Sequence, residues 1–448
     1  MRIVYGAEEA RRTLLRRTPI GETELPAAVR AKNAALFGAD LPLEQQVRRI
    51  IADVQREGDG ALLRYAQAFT GREPPALEVP RREIDDAFTA VDPALVEALE
   101  HAAARIRAYH ELQRQHSARS FVGEDGVGMQ VRAIERVGMY VPTSAGAVYP
   151  SSVLMTAIPA KVAGVDELVM ATPAGPDGRV APLKLVAARI GGVDRVFAIG
   201  GAEAIAALAY GTETVPRVDK IVGPGNIFVT VAKREVFGSV GIDALYGPSE
   251  TIVIADETAN PMLAAADLLA QAEHDELATP ILLTTSATMA EAVADEVERQ
   301  LKLIERERIA RVSFEARGGA AIVASIEEAV ALASEYAPEH LCLLVRDAGD
   351  VAMTVRNAGG IFVGDDAPES LGDYTAGPSH VMPTNGAARY ASPLGVHDFL
   401  KVTSVVAVDA GTLRSAGPDA AQIARAEGFT AHARSIELRL DGGERGSA

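Results

Sequence analysis

Residues 251–285, TIVIADETANPMLAAADLLAQAEHDELATPILLTT, read as a strand, a helix and a second strand. The outer segments, TIVIAD and PILLTT, are short apolar runs closed by polar residues, the pattern of strands covered on both faces. Between them, Pro261 suits the first position of a helix and Asn260 suits its cap. A strand, a helix of this length and another strand form a βαβ unit, so the two strands run parallel.

The same alternation extends in both directions. Downstream, helical periodicity at 289–304 and 326–336 separates the apolar runs AAIVA (320–324), LCLLV (341–345) and GIFVG (360–364). Upstream, RVGMYVP (136–142), ELVMATP (167–173), RVFAIGG (195–201) and KIVGPGN (220–226) are strands that each end in Gly or Pro. Helices AEAIAALAYG (202–211) and IFVTVAKREVFG (227–238) follow the last two. Two such sets predict an α/β protein with two doubly wound, Rossmann-like domains built on parallel sheets.

The expected boundaries follow from where the pattern changes. Residues 1–40 form a helical N-terminal arm, interrupted by the breakers of TPIGETELPAAV (18–29). Residues 41–139 and 250–394 form the first Rossmann-like domain, opening on the amphipathic stretch 41–69. Residues 140–249 form the second. Residues 395–448 are a helical C-terminal segment ending in the polar DGGERGSA (441–448), expected to fray.

Composition narrows the function. The chain has 448 residues, 48% of them hydrophobic and 23% charged, as in an ordinary globular protein. Its formal net charge of −17 argues against nucleic acid, which requires a basic footprint. Any dinucleotide has to be neutralised locally by backbone N–H groups. The single cysteine, Cys342, excludes an internal disulfide, fits a reducing compartment and reads as a core residue. MRIVYGAEEARRTLLRRT (1–18) lacks the apolar core of a signal peptide, and no run is long enough for a membrane span, so the expected compartment is the cytoplasm.

Ligands of parallel sheets bind beyond the carboxyl ends of the strands, and chemistry is sought there. Gln271 and His274 stand three apart near a helix end and share a face, a spacing that suits metal ligation. A helix C-terminus favouring an imidazolium accounts for them as well. Asp373 and His380 occupy a loop punctuated by Gly and Pro beyond GIFVG. Glu427 and His432 are five apart and share no helical face. Glu339 and His340 are adjacent, just ahead of an apolar strand, where an exposed turn is the bland alternative. The turns IGGAEA and VGPGN place small residues at helix N-termini, where free N–H groups hold anions, yet G-x-G-x-x-G is nowhere complete.

Taken in order and at their separations, VGPGN, YGPSETIVIAD (246–256), DLLAQAEHD (267–275), YAPEHL (336–341), GDYTAGPSHVMPT (372–384) and EGFTAH (427–432) resemble histidinol dehydrogenases across nearly the whole chain. The resemblance implies an intertwined homodimer that oxidises L-histidinol to L-histidine with two NAD, through a bound aldehyde, as the last step of histidine biosynthesis. It implies one zinc per subunit, held by Gln271, His274, Asp373 and His432, the last donated across the dimer interface. Glu339 and His340 match the catalytic pair, His340 as general base and Glu339 activating water. Ser249, His380 and Glu427, with the zinc ligands and His340, match substrate contacts. Tyr140, Glu203 and Asn226 match the NAD-binding positions.

The chain departs from the family pattern at Glu203, where Gln is usual, at Tyr246, where Ala is common, and at Ser379, where Asn is frequent. A Glu203 carboxylate is expected to accept from a ribose hydroxyl and to repel phosphate. These departures leave room for a paralogue acting on another small polar alcohol, for instance a sulfonated propanediol. A third reading, a metal- and nucleotide-binding protein without turnover, has no need for the Glu339–His340 pair.

Overall fold

A computed structural model describes residues 1–17, 27–144 and 147–442. The segment TPIGETELPAAV falls mostly outside the described residues, as does nearly all of the polar tail. The chain divides into two compact units. One comprises residues 1–115 and 134–399, the other residues 116–133 and 400–448.

The larger unit holds two parallel sheets. The six-stranded sheet runs Ile3–Tyr5, Gly319–Ile322, Thr279–Thr284, Glu250–Ala255, His340–Leu344, Gly360–Val363. Strands Glu250–Ala255 and Thr279–Thr284 are buried at every residue, which is why their sequences are apolar without alternation. The strand Ile3–Tyr5 adds an edge that helical reading of the N-terminal arm does not anticipate. It is short and lies ahead of a helix, Ala7–Arg12, so periodicity had little to register.

The five-stranded sheet runs Gly241–Ile242, Lys220–Val222, Arg136–Tyr140, Glu167–Ala171, Arg195–Phe197, again parallel throughout. Its helices are rich in alanine: Gly201–Tyr210 is buried from Ala202 through Ala209, so small side chains let it lie close against the strands. Helices Leu43–Glu57 and Ile227–Val236 pack on it, with Ile50, Ile51, Val54, Val229 and Val236 in one continuous core.

The smaller unit pairs Leu400–Val406 antiparallel with Val127–Ala133, which also carries Phe121–Val122. Helices Ala410–Ala426 and Thr430–Leu440 follow. The C-terminal segment is therefore helical only after a strand. Five of that strand's seven side chains are exposed, so its sequence, LKVTSVV, lacks the apolar run of a buried strand. Among the described residues no helix is long and apolar enough to cross a membrane.

Candidate active site

A cavity of about 950 Å³ is lined from both parallel sheets of the larger unit. The five-stranded sheet presents its carboxyl end, with Tyr140 at the end of a strand and Glu203 and Asn226 just beyond two others. The six-stranded sheet presents its opposite end. Ser249 and the pair Glu339–His340 stand where strands begin, and Gln271 lies at the end of the helix returning from one. The carboxyl-end rule therefore holds for one sheet only.

Helix direction accounts for this difference. Helices Pro150–Ala163, Gly201–Tyr210 and Ile227–Val236 begin on the cavity, turning the positive ends of their dipoles toward it. Helix Pro261–Ala272 ends on it, and helix Ile326–Tyr336 ends immediately before Pro338. These ends are negative and favour cations. One wall suits an anionic ligand and the other a metal ion or an imidazolium.

On the second wall the register Thr251 with His340 sets Glu250 beside Glu339. The Glu250 N–H donates to Glu339 Oε2 at 3.2 Å. His340 Nδ1 lies 3.8 Å from Glu339 Oε2, and His340 Nε2 lies 3.7 Å from Asp373 Oδ1. Both ring nitrogens are buried without a hydrogen-bond partner. Phe362, on the neighbouring strand, stacks on the imidazole at 5.7 Å between centroids. Asp373 stands not in a loop but on the short helix Glu369–Tyr374, and Gly372 lets that helix approach the Phe362 ring: a Cβ there would sit 2.6 Å from the ring edge. His380 completes the group, with Nδ1 2.8 Å from the Asp373 carbonyl and Nε2 3.1 Å from Ser152 Oγ.

Charge and burial act together here. Burial pushes the Glu339 carboxyl up to about 8, against the pull of cationic His340. Burial alone would lower His340. Asp373, Glu339 and Glu369 outweigh it and raise the ring to about 10. Burial raises Asp373, yet the imidazolium brings it below its usual range overall. The three groups titrate as a coupled set. Burial lowers both His274 and His380, each partly offset by Asp373, so both lean toward the neutral, ligating form.

The donor set fits zinc in kind. Gln271 is 1% exposed and neither amide atom has a partner, an expensive arrangement unless a ligand satisfies them. His274 opens onto the same cavity in the turn after the helix, its N–H donating to the Gln271 carbonyl. Among the described residues no three His, Cys, Asp or Glu side chains cluster as a metal site. The expected set supplies only His274 and Asp373 of those types from this unit. Glu427 and His432 lie on the smaller unit, both exposed.

On the first wall, Tyr140 Oη accepts from the Gly201 N–H, and Asn226 caps its helix by accepting from Phe228 and Val229. Glu203 is 4% exposed, its Oε2 has no partner, and burial pushes it up to about 8. A carboxyl that is neutral at pH 7 donates a hydrogen bond and repels no phosphate, which reverses the electrostatic expectation for this position. The other departures have local uses. Tyr246 donates to Asp243, which also pairs with buried Lys233. Ser379 donates to the Met155 carbonyl and pins the loop to a helix. Glu250, Phe362, Glu369 and Ser152 escaped sequence reading because each works through a neighbour brought by a distant segment, and no local motif marks that.

Residues 39–440 match the family described as histidinol dehydrogenase. The chain belongs to this family. A histidinol dehydrogenase of Deinococcus radiodurans is 49% identical over 98% of this chain and the whole of that protein. One from Geobacter sulfurreducens is 51% identical over 89% of the chain and 93% of the relative. The crystal structure of histidinol dehydrogenase from Elizabethkingia anophelis superposes with a TM-score of 0.89 at 32% identity, covering 99% of this chain and 98% of that one. The chain is thus an oxidoreductase of the histidinol dehydrogenase type.

Proposed function

We propose that the protein oxidises L-histidinol to L-histidine in two hydride transfers, each to one NAD, with histidinaldehyde retained between them. The observation carrying this reading is one cavity that gathers Gln271, His274, Glu339, His340 and Asp373 on a wall favouring cations and Tyr140, Glu203 and Asn226 on a wall favouring anions. The six-stranded sheet then carries the chemistry and the five-stranded sheet the dinucleotide.

The residues divide the work by position. His340 Nε2 faces the substrate side and accepts the alcohol proton as hydride leaves for the nicotinamide. In the free chain its carboxyl neighbours keep it protonated. A metal held by Gln271, His274 and Asp373 would weaken the first of those attractions and would leave the ring freer to accept a proton. Glu339, in its ionised form, takes a proton from the water that adds to the aldehyde, and the resulting hydrate yields the second hydride. Ser249 and His380 hold the rest of the substrate.

Gln271, His274 and Asp373, with His432 of a second subunit, are suited to hold zinc, which when bound supplies a redox-inert Lewis acid that anchors substrate nitrogens. A homodimer is supported by the smaller unit, where Phe121, Val402, Val406, Ile423 and Phe429 stay exposed. Glu427 on that unit would join the substrate site of the other subunit. Cytoplasmic placement follows from this biosynthetic role.

The direct test is NADH formation from L-histidinol, in a ratio of two per histidine, against a panel of small alcohols with and without chelator. Equal rates on unrelated alcohols would refute the substrate assignment. For the shared site, a His432→Ala subunit mixed with a Gln271→Ala subunit should regain activity in heterodimers. Absence of rescue despite subunit exchange refutes sharing.

A further inference from the structure

Arg17 lies far from the catalytic motifs in sequence, at the end of the described N-terminal segment, and has no assigned role. Its guanidinium is one-fifth exposed and fully engaged. Nε donates to Glu250 Oε1 at 2.6 Å and Nη2 to Glu250 Oε2 at 2.7 Å, a bidentate fork. Nη1 donates to the Tyr336 carbonyl and Nη2 also to the Ala337 carbonyl at 3.2 Å. The planar group lies over the Tyr336 ring, with Cζ 3.6 Å from its centroid.

Each of these partners leads to Glu339. The backbone N–H of Glu250, whose side chain is clamped, donates to the Glu339 carboxylate. Tyr336 and Ala337 are the last residue and the cap of the helix leading into Pro338 and Glu339. Ala337 has φ +54°, a left-handed conformation that is costly for a non-glycine residue and persists only where surroundings enforce it. Arg17 grips the carbonyls on either side of that turn. On the opposite side, Gly386 leaves space for the guanidinium: a Cβ there would fall 2.7 Å from Nη1.

We propose that Arg17 is a positioning residue for Glu339, fixing through Glu250 and the 336–337 carbonyls the direction in which that carboxyl meets the aldehyde-stage water. The inference rests on the reading of Glu339 given above. A fork of fixed geometry is required, so lysine, a point charge, cannot replace it.

The test separates the half-reactions in the zinc-loaded, full-length enzyme. Arg17→Met is expected to lower kcat for aldehyde-to-histidine conversion by about 100-fold, the scale of a small misplacement of a reacting group. KM for the aldehyde and the alcohol-to-aldehyde rate should stay near wild type. Arg17→Lys should fare little better, and added guanidinium should restore part of the lost step in Arg17→Ala. The Arg17→Met/Glu250→Gln double variant removes the stranded buried carboxylate and so stays foldable if the single variant is not. It is expected to remain slow in the second step. Wild-type acid formation in any folded Arg17 variant, while Glu339→Gln is impaired, overturns the inference alone, as do equal losses in both half-reactions or full recovery in the double variant. Undiminished acid formation in Glu339→Gln overturns the reading of Glu339 and this inference with it.

Discussion

The two parallel sheets are built alike and used in opposite senses. The five-stranded sheet meets the cavity with strand ends and helix beginnings, and its polar groups there, Tyr140, Glu203 and Asn226, are neutral or occupied with caps. The six-stranded sheet meets it with strand beginnings and helix ends, and there Glu339, His340 and Asp373 form one charge cluster, with the buried Glu369 acting on the ring from behind. Backbone direction therefore assigns polarity before any side chain does. One end of an α/β layer attracts anions and the other attracts cations. A fold that turns opposite ends of two layers toward one cavity can hold a phosphate-bearing cofactor and a cationic centre together.

That contrast can be broken most severely at His340. Its replacement by Asn is expected to reduce the first NADH-forming step by about 10³-fold or more, the scale of lost acid–base catalysis, with metal content unchanged. Rapid first turnover would show the charged wall to be structural. Glu339→Gln should cost about 100-fold in histidine formation and far less in alcohol oxidation, read by separate assays of the two substrates. Equal losses would dissolve the division of labour between the adjacent residues. Phe362→Leu removes the face on which the imidazole stacks and should cost roughly tenfold in kcat through lost orientation, with KM for NAD unmoved. A changed KM for NAD would mean that the two walls are not independent.

The smallest effect belongs to the other wall. Glu203 is raised from its usual 4.5 to about 8 in the folded chain. Between those values the unfolded chain releases the proton and the folded chain keeps it, so stability falls as pH rises through this window and levels off above it. Glu203→Gln should therefore raise the melting temperature at pH 8 and leave it nearly unchanged near pH 4.5. KM for NAD in the wild type should rise by a few-fold above pH 8, where the carboxyl ionises, and stay flat in the variant. A flat wild-type profile would mean that Glu203 does not face the dinucleotide.

Much of the fold was legible because its signal is local. Buried parallel strands such as Glu250–Ala255 must be continuously apolar, and helices such as Pro261–Ala272 carry their own Pro and Asn starts. The edge strand Ile3–Tyr5 and the exposed strand Leu400–Val406 were not, since short or solvent-facing strands leave little pattern. The motif residues were legible as a resemblance. The electrostatic meaning of Glu203 was not, because a carboxylate in the sequence becomes a neutral carboxyl only after burial.

By itself, then, the sequence determined the alternation of strand and helix, the two layers and the chemical types available near each motif, since these follow from apolar periodicity and from residue identity. Tertiary structure alone decided which end of each layer faces the cavity, which carboxyls stay protonated, and that Arg17 reaches Glu250. Those properties arise from distances between segments hundreds of positions apart and from the water that packing removes.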